Sequence, residues 1–405
     1  MHIRPRALRS KLLLAALSCL AGCLLVEAGA RWRYRSIELY RSWRWVVETH
    51  LIDQSWEEFL ERQSRLQAAR KRQGMERGRS HAVFGWTYNP GFEIDEPDLG
   101  LSIHINSHAL RGEEFPAEKP PGEVRIVCLG GSTTAGEEVL DPQTYPAQLQ
   151  VILRERLPAR SIRVINAGVP TYALKHSLDL YALNLRRFEP DFVTIYHGIN
   201  DLFQYAHEGV EISPRRNYNR RPLAPFVFQG DAADDGGSLF GEILWAFERR
   251  SLAWQLLHDR LLTETPLVTT DPARVEAGLR LYRLRLDELL DEISGSGATA
   301  VPMTFALSYP GDFSPERAQR IEKSLRIWLD PAGIALEDGP GVIAAQNRAL
   351  AELAGQRGLP LADVAAAVPA DAGHFVDSCH LTAQGNRRIA EVLADTLAPL
   401  LQAEH

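Results

Sequence analysis

A chain of 405 residues with 45% hydrophobic and 24% charged residues has the composition of a folded globular protein, which excludes fibrous, collagen-like and disordered chains. Its formal charge of −7 is unevenly spread, because residues 1–80 hold 16 Lys+Arg against 8 Asp+Glu and the remainder holds 29 against 44. The acidic main body argues against a nucleic-acid-binding protein, and four scattered cysteines without a CxxC exclude a disulfide scaffold.

The first element is an apolar run from Leu12 to Val26, reaching Ala30 if Glu27 sits near an interface, and it follows Arg4, Arg6, Arg9 and Lys11. At about 1.5 Å per residue, the stretch 12–30 forms a helix of about 28 Å, close to a hydrocarbon core of ~30 Å and longer than the apolar region of a cleaved signal. Residues 1–30 are therefore expected to form an uncleaved transmembrane anchor. Leu20-Ala21-Gly22-Cys23 also reads as a bacterial lipobox, so a lipoprotein or a cleaved signal peptide is the alternative. The apolar Leu24, Leu25 and Val26 after Cys23 favour the span. Basic residues stand on both sides of it, so the positive-inside rule gives no orientation.

Beyond the span, Trp32, Tyr34, Tyr40, Trp43 and Trp45 interleave with Arg31, Arg33, Arg35, Arg41 and Arg44, as expected where a chain leaves a bilayer among headgroups. Residues 31–80 read as a basic, aromatic stalk helix. A second reading packs this stretch on the protein's own domain through Ile37, Tyr40, Val47, Leu51 and Trp56. Residues 81–122 alternate aromatic and β-branched residues with turn formers and end in Lys119-Pro120-Pro121-Gly122, which predicts short strands and a linker.

From residue 123 to the end, short β-rich runs alternate with longer amphipathic ones. Strands are expected at Val124–Leu129, Ser161–Asn166, Phe192–Tyr196, Ala298–Phe305 and Leu359–Val364, and helices at about 143–157, 174–188, 272–294, 340–356 and 383–402. This order predicts βαβ units, a parallel sheet and helices on both faces. A polar insertion at about 208–240, densest over Pro214–Gly237, is a candidate rim or lid. No internal repeat is visible.

Ligands in such sheets bind beyond the carboxyl ends of the strands, so the chemistry is sought there. The first strand runs into Gly130-Gly131-Ser132-Thr133-Thr134-Ala135-Gly136. A dinucleotide fingerprint fails on spacing, and a phosphate loop fails because Glu137 stands where a lysine is needed. Ser132 remains as a nucleophile on a glycine-flanked turn. Near the end stands Asp377-Ser378-Cys379-His380. At that spacing in a turn, the carboxylate can hold one imidazole nitrogen while the other faces a serine. The second strand ends in Asn166-Ala167-Gly168 and the third in His197-Gly198-Ile199-Asn200-Asp201. Gly168 offers an amide and Asn200 a neutral side-chain donor, which with the Ser132 amide would hold an oxyanion.

Other groups read as structural. Asp201 is expected to cap a helix and His197 to be packed or hydrogen-bonded. His104 and His108 lie in an extended segment rather than on one helix face, and no metal site is expected there. Cys128 and Cys379 read as small buried hydrophobes.

The blocks Gly131-Ser132, Gly168, Gly198-Ile199-Asn200-Asp201 and Asp377-Ser378-Cys379-His380 resemble, in chain order, the SGNH (GDSL-type) hydrolase family. The resemblance covers residues from about 120 onward. It implies a flavodoxin-like three-layer α/β/α fold whose five-stranded parallel sheet has the order 2-1-3-4-5. It also implies a catalytic triad of Ser132, His380 and Asp377, with an oxyanion hole from Ser132, Gly168 and Asn200. Ile105-Asn106-Ser107, Leu110-Arg111-Gly112 and the exit Val26-Glu27-Ala28-Gly29-Ala30-Arg31 are similar to the membrane-anchored bacterial subset. Gly131 departs from the family's aspartate, and His108-Ala109 from an upstream glycine.

These features lead to a serine esterase that acts on acetyl or short acyl esters of cell-envelope carbohydrate or lipid, anchored in a bacterial membrane with its catalytic domain outside the cytoplasm. The mechanism calls for no metal or organic cofactor. An O-acyltransferase of envelope polysaccharide would use the same acyl-enzyme, and a non-catalytic glycan- or lipid-binding module is the third reading. Sequence gives neither the acyl group nor the oligomeric state.

Overall fold

The computed structural model describes Ser18 and residues 21–30, 37–205 and 268–403. The chain divides into two compact units, Met1–Trp45 with Leu223–Leu267, and Val46–Pro222 with Val268–His405. In the first unit residues 21–30 are helical and Leu24, Leu25 and Val26 are exposed. Among the described residues no helix is long and apolar enough to cross a membrane. Residues 12–17, 19 and 20 of the expected span lie outside the described residues, as does the expected insertion at 208–240.

Helix α1 spans Ile37–Thr49 and is followed by α2, Trp56–Gln73. The start of α2 is set by Ser55, whose hydroxyl accepts the Glu58 N–H at 3.2 Å while the Glu58 carboxylate accepts the Ser55 N–H at 2.8 Å. Trp56, Phe59, Leu66 and Ala69 of α2 are buried, the last two in one cluster with Trp86, Tyr88, Val127 and Ile165. From Val46 onward the helical stretch belongs to the same compact unit as the sheet, and Leu51 and Trp56 are buried in it.

Two antiparallel hairpins follow, β1 (Gly78–His81) with β2 (Gly85–Tyr88) and β3 (Glu93–Glu96) with β4 (Leu101–His104). The main unit then runs β5 (Glu123–Gly130), the short α3 (Ser132–Ala135), α4 (Tyr145–Arg156), β6 (Ser161–Gly168), α5 (Leu174–Leu180), β7 (Phe192–Tyr196), α6 (Pro272–Gly295) and β8 (Thr299–Pro302). It ends with α7 (Pro315–Ala332), α8 (Gly339–Gln356), α9 (Val364–Ala367) and α10 (Ala383–Ala403).

Strands β5 to β8 form a parallel sheet in the order β6-β5-β7-β8, so the first four of the expected strands stand in the expected order 2-1-3-4. Both central strands, β5 and β7, are buried almost throughout, which is why they read as continuous apolar runs. Helix α4 packs with α10, and α6 packs with α5 and α8, giving the outer layers of an α/β/α sandwich. The fifth strand is reduced to a single parallel bridge, Met303 to Ala362. Pro360 has no N–H to donate to a ladder, and Asp363 instead accepts the Thr304 hydroxyl at 2.7 Å and caps α9. Helix α7 is an addition to the expected elements. Its signals are the Ser314-Pro315-Glu316 start, the Gly333 stop, and the spacing of its buried Ile321, Leu325, Trp328 and Leu329.

Candidate active site

Strand β5 delivers Ser132 to the carboxyl edge of the sheet, where Gly130 ends the strand and Gly131 leads into α3. The Thr134 and Ala135 amides close onto Gly131 O at 3.2 and 2.9 Å. Among the described residues the Ser132 amide has no hydrogen-bond acceptor. This turn is braced by Arg111, only 3% exposed. Its Nε donates to Asp141 at 2.6 Å, Nη1 to the carbonyls of Ala135 and Gly136, and Nη2 to those of Ser102 and Val139. Arg111 stood in the sequence only as part of a family-like segment. Its role as a strut depends on carbonyls that become neighbours only in the fold.

The loop before α10 brings Asp377 and His380 to the same edge. Asp377 Oδ1 accepts the amides of Cys379 and His380 at 2.8 and 2.7 Å, and Oδ2 accepts His380 Nδ1–H at 2.7 Å. With the proton on Nδ1, His380 Nε2 is left as an acceptor, and it lies 2.8 Å from Ser132 Oγ. The loop is held from behind by Ser308, whose hydroxyl donates to Asp377 O at 3.0 Å, and by the Ser324 and Ser378 hydroxyls at 2.7 Å. Burial alone pushes the Asp377 carboxyl up, but the His380 charge and hydrogen bond, with His50 and the His380 amide, bring it well below the usual carboxylate range. Burial pushes the His380 imidazole down, and Asp377, Cys379 and Glu138 outweigh it, holding His380 well above the ordinary histidine value.

Asn200 follows the end of β7 and stands beside Gly131, next to the serine. Its Nδ2 donates to Tyr172 O at 2.9 Å and lies 2.5 Å from where a Cβ on Gly131 would be. The second Nδ2 hydrogen is left for another acceptor. Gly168 does not fill the role expected of it. Its amide donates to Asn166 Oδ1 at 3.0 Å, and a Cβ there would come within 2.2 Å of Ala135 N, so the glycine lets β6 pack against α3. The residue missed by sequence reasoning is Thr171, in the loop whose Tyr172 carbonyl anchors Asn200. Thr171 has φ 71, a value β-branched residues rarely adopt, and its amide has no acceptor among the described residues. The loop is buttressed by the aromatic hairpin, with Trp86 Nε1 donating to Thr171 Oγ1 at 3.3 Å and the Tyr172 hydroxyl to Trp86 O at 2.6 Å.

The remaining candidates fall into structural places. Asp201 Oδ1 accepts the Leu174 N–H at 3.0 Å at the start of α5, and burial raises its carboxyl to about 7. His197 is buried against Ser177 Oγ at 2.7 Å. His104 bonds Asp141 and Glu93 while His108 bonds Phe115 O, so the two rings serve different partners. Burial pushes the thiols of Cys128 and Cys379 up, to about 12 and about 11. Among the described residues the only cluster spaced to hold a metal ion is Asp377, Cys379 and His380, and there His380 Nδ1 is already engaged by Asp377.

Residues 128–388 match the GDSL-like Lipase/Acylhydrolase family. No curated protein matches the sequence. Among solved structures, similar ones include a catalytic mutant of an acetylxylan esterase from Geobacillus stearothermophilus, 14% identical, covering 68% of this chain and 94% of that one at a TM-score of 0.39. A lipase/acylhydrolase from Enterococcus faecalis is 17% identical, covering 68% and 96% at a TM-score of 0.37. An α/β hydrolase from the metagenome of Lake Arreo, Spain, is 17% identical, covering 68% and 96% at 0.38. These likenesses are too distant to argue a substrate. The family match spans more than half of the chain and takes in Ser132, Asp377 and His380, so the protein belongs to the GDSL-like lipase/acylhydrolase family of ester-bond hydrolases.

Proposed function

We propose that the protein is a serine esterase that removes acetyl or short acyl groups from cell-envelope carbohydrate or lipid. The reading is carried by the chain from Ser132 Oγ through His380 to Asp377, at 2.8 and 2.7 Å. His380 Nε2 takes the Ser132 proton as Oγ attacks the ester carbonyl. The carbonyl oxygen becomes an oxyanion held by the Ser132 amide, the free Asn200 Nδ2 hydrogen and the Thr171 amide. Each such donor contributes about 3 kcal/mol to transition-state stabilisation. The ester C–O bond then breaks, the alcohol leaves with the proton from His380, and water attacks the acyl-enzyme with the same histidine as base. Asp377 stays ionised throughout.

The leader takes its place in the same proposal. Residues 12–30 serve as a single anchor in a bacterial cell membrane, with the α/β unit outside the cytoplasm. The length of the apolar run and the exposed Leu24, Leu25 and Val26 support this. Acetate release from acetylated glycans and from short acyl lipids, compared between the full chain and its Ser132→Ala variant, tests the activity. Release by the native serine alone is expected. Equal release by both proteins, or none from any ester, contradicts it. Recovery of the protein in the soluble fraction after cell lysis contradicts the anchor.

A further inference from the structure

His50, in the turn between α1 and α2, lies against the carboxylate of Asp377. It is 6% exposed and its neighbour across the contact, Asp377, is 3% exposed, so little water separates them. Its backbone is fixed from two sides. The Leu51 N–H donates to Val376 O at 2.6 Å, one residue before Asp377. Arg320 of α7 donates to His50 O at 3.3 Å and pairs with Asp53 at 2.7 Å. The ring has Thr49 Oγ1 at 3.0 Å from Nδ1 and Asp377 Oδ2 at 4.0 Å from Nε2. The charged groups facing it are Asp377 and His380 from the loop and Arg62 from α2.

The state of the ring follows from these surroundings. Burial pushes the His50 imidazole down to about 4 against the opposing pull of Asp377, so the ring is neutral in the working range of an esterase. A Thr49 hydroxyl that donates to Nδ1 puts the single ring proton on Nε2, the nitrogen that lies 4.0 Å from Asp377 Oδ2. That oxygen already accepts His380 Nδ1–H and has a second lone pair.

We propose that His50 is a positioning residue of this hydrolase, presenting its Nε2–H to Asp377 and, through that carboxylate, holding His380 in register with Ser132. The proposal rests on Ser132, His380 and Asp377 acting as the triad. It makes the N-terminal helical segment part of the catalytic apparatus, because the ring that supports the acid comes from residue 50. Loss of the donor leaves the Asp377 charge less compensated, so it grips the His380 proton more tightly and raises the pH at which the base becomes available.

The test uses the full chain with His50→Leu and His50→Gln, 4-nitrophenyl acetate turnover across pH, and fluorophosphonate labelling of Ser132. Leucine is expected to lower kcat about tenfold with KM within about twofold, and to move the acid limb of the profile upward by about half a pH unit. Glutamine, which can place an amide N–H near the position of Nε2, is expected to recover kcat to within about threefold of the native protein. Native kcat and an unmoved limb in His50→Leu overturn the proposal. So does equal loss in both variants without a change in the limb, which is the result of a packing role. If His50→Leu does not fold, Thr49→Val, which frees the ring tautomer, is expected to shift the limb in the same direction, and an unmoved limb overturns the proposal. Failure of the native protein to label at Ser132 removes the triad itself, whereas native labelling with an unaffected His50→Leu removes only the role of His50.

Discussion

Asn200 Nδ2 lies 2.5 Å from the point that a Cβ on Gly131 would occupy, with Tyr172 O at 3.1 Å from the same point. Gly131 has φ −89, outside the left-handed region, and its missing side chain makes room for this close approach. A methyl group there forces the short Asn200 side chain to rotate away, which the fold can absorb at about 1 kcal/mol. The donor is lost with it. Gly131→Ala is expected to lower kcat about 10–100-fold while leaving thermal unfolding within a few degrees of the native protein. Steady-state kinetics beside a melting curve checks both halves.

The proposed oxyanion donors Asn200 and Thr171 differ in kind, and substitution separates them. Asn200→Ala removes a side-chain donor and is expected to reduce kcat about 10²–10³-fold. Thr171→Gly keeps the backbone amide, relieves the left-handed strain at φ 71, and is expected to stay within about threefold of native activity. A Thr171→Gly loss as large as that of Asn200→Ala in the same kinetic assay contradicts this division.

Activity and stability are expected to run in opposite directions with pH. His380 must be neutral to accept the Ser132 proton, and its raised value puts the acid limb of kcat/KM above the ordinary histidine value of 6.5. The same shift stabilises the fold. Below about pH 6.5 both folded and unfolded chains hold the histidine proton and the contribution is complete. Above that, only the folded chain holds it, so the contribution declines until pH passes the folded value. A melting temperature that falls over the pH interval in which kcat/KM rises is the expected result.

Arg111 is expected to matter mainly for folding. Arg111→Met removes the donors to Asp141 and four carbonyls at once, leaving Asp141 held only by His104 and Ser102 beside the serine turn. A loss of about 3–5 kcal/mol in denaturant unfolding is expected, with the remaining folded fraction also less active.

What was legible in the sequence was local. The parallel sheet and its helices followed from apolar runs alternating with amphipathic ones, the order of its strands only from the family resemblance, and motifs at strand ends or just before a helix marked Ser132, Asp377 and His380 as candidates. Gly168 was misassigned because the sequence offers a glycine amide without revealing that Asn166, two residues away, already accepts it. Thr171 carries no glycine to mark its backbone angle. The fifth strand shrank to a bridge because Pro360 and Asp363 direct the chain away from pairing, a local signal outweighed by the apolar Leu359 and Leu361. His50 and Arg111 were beyond reach for a different reason. Their partners, Asp377 and the Ala135–Val139 turn, are distant in the chain and meet them only through packing.

The central claim is that Ser132 is a nucleophile activated by His380 and Asp377. Labelling of the full chain by a fluorophosphonate, with the modified residue located by peptide mass mapping, tests it most directly. The account predicts a single adduct on Ser132, absent from Ser132→Ala and strongly slowed in His380→Ala. An adduct on another residue, or equal labelling of the native protein and Ser132→Ala, would contradict it.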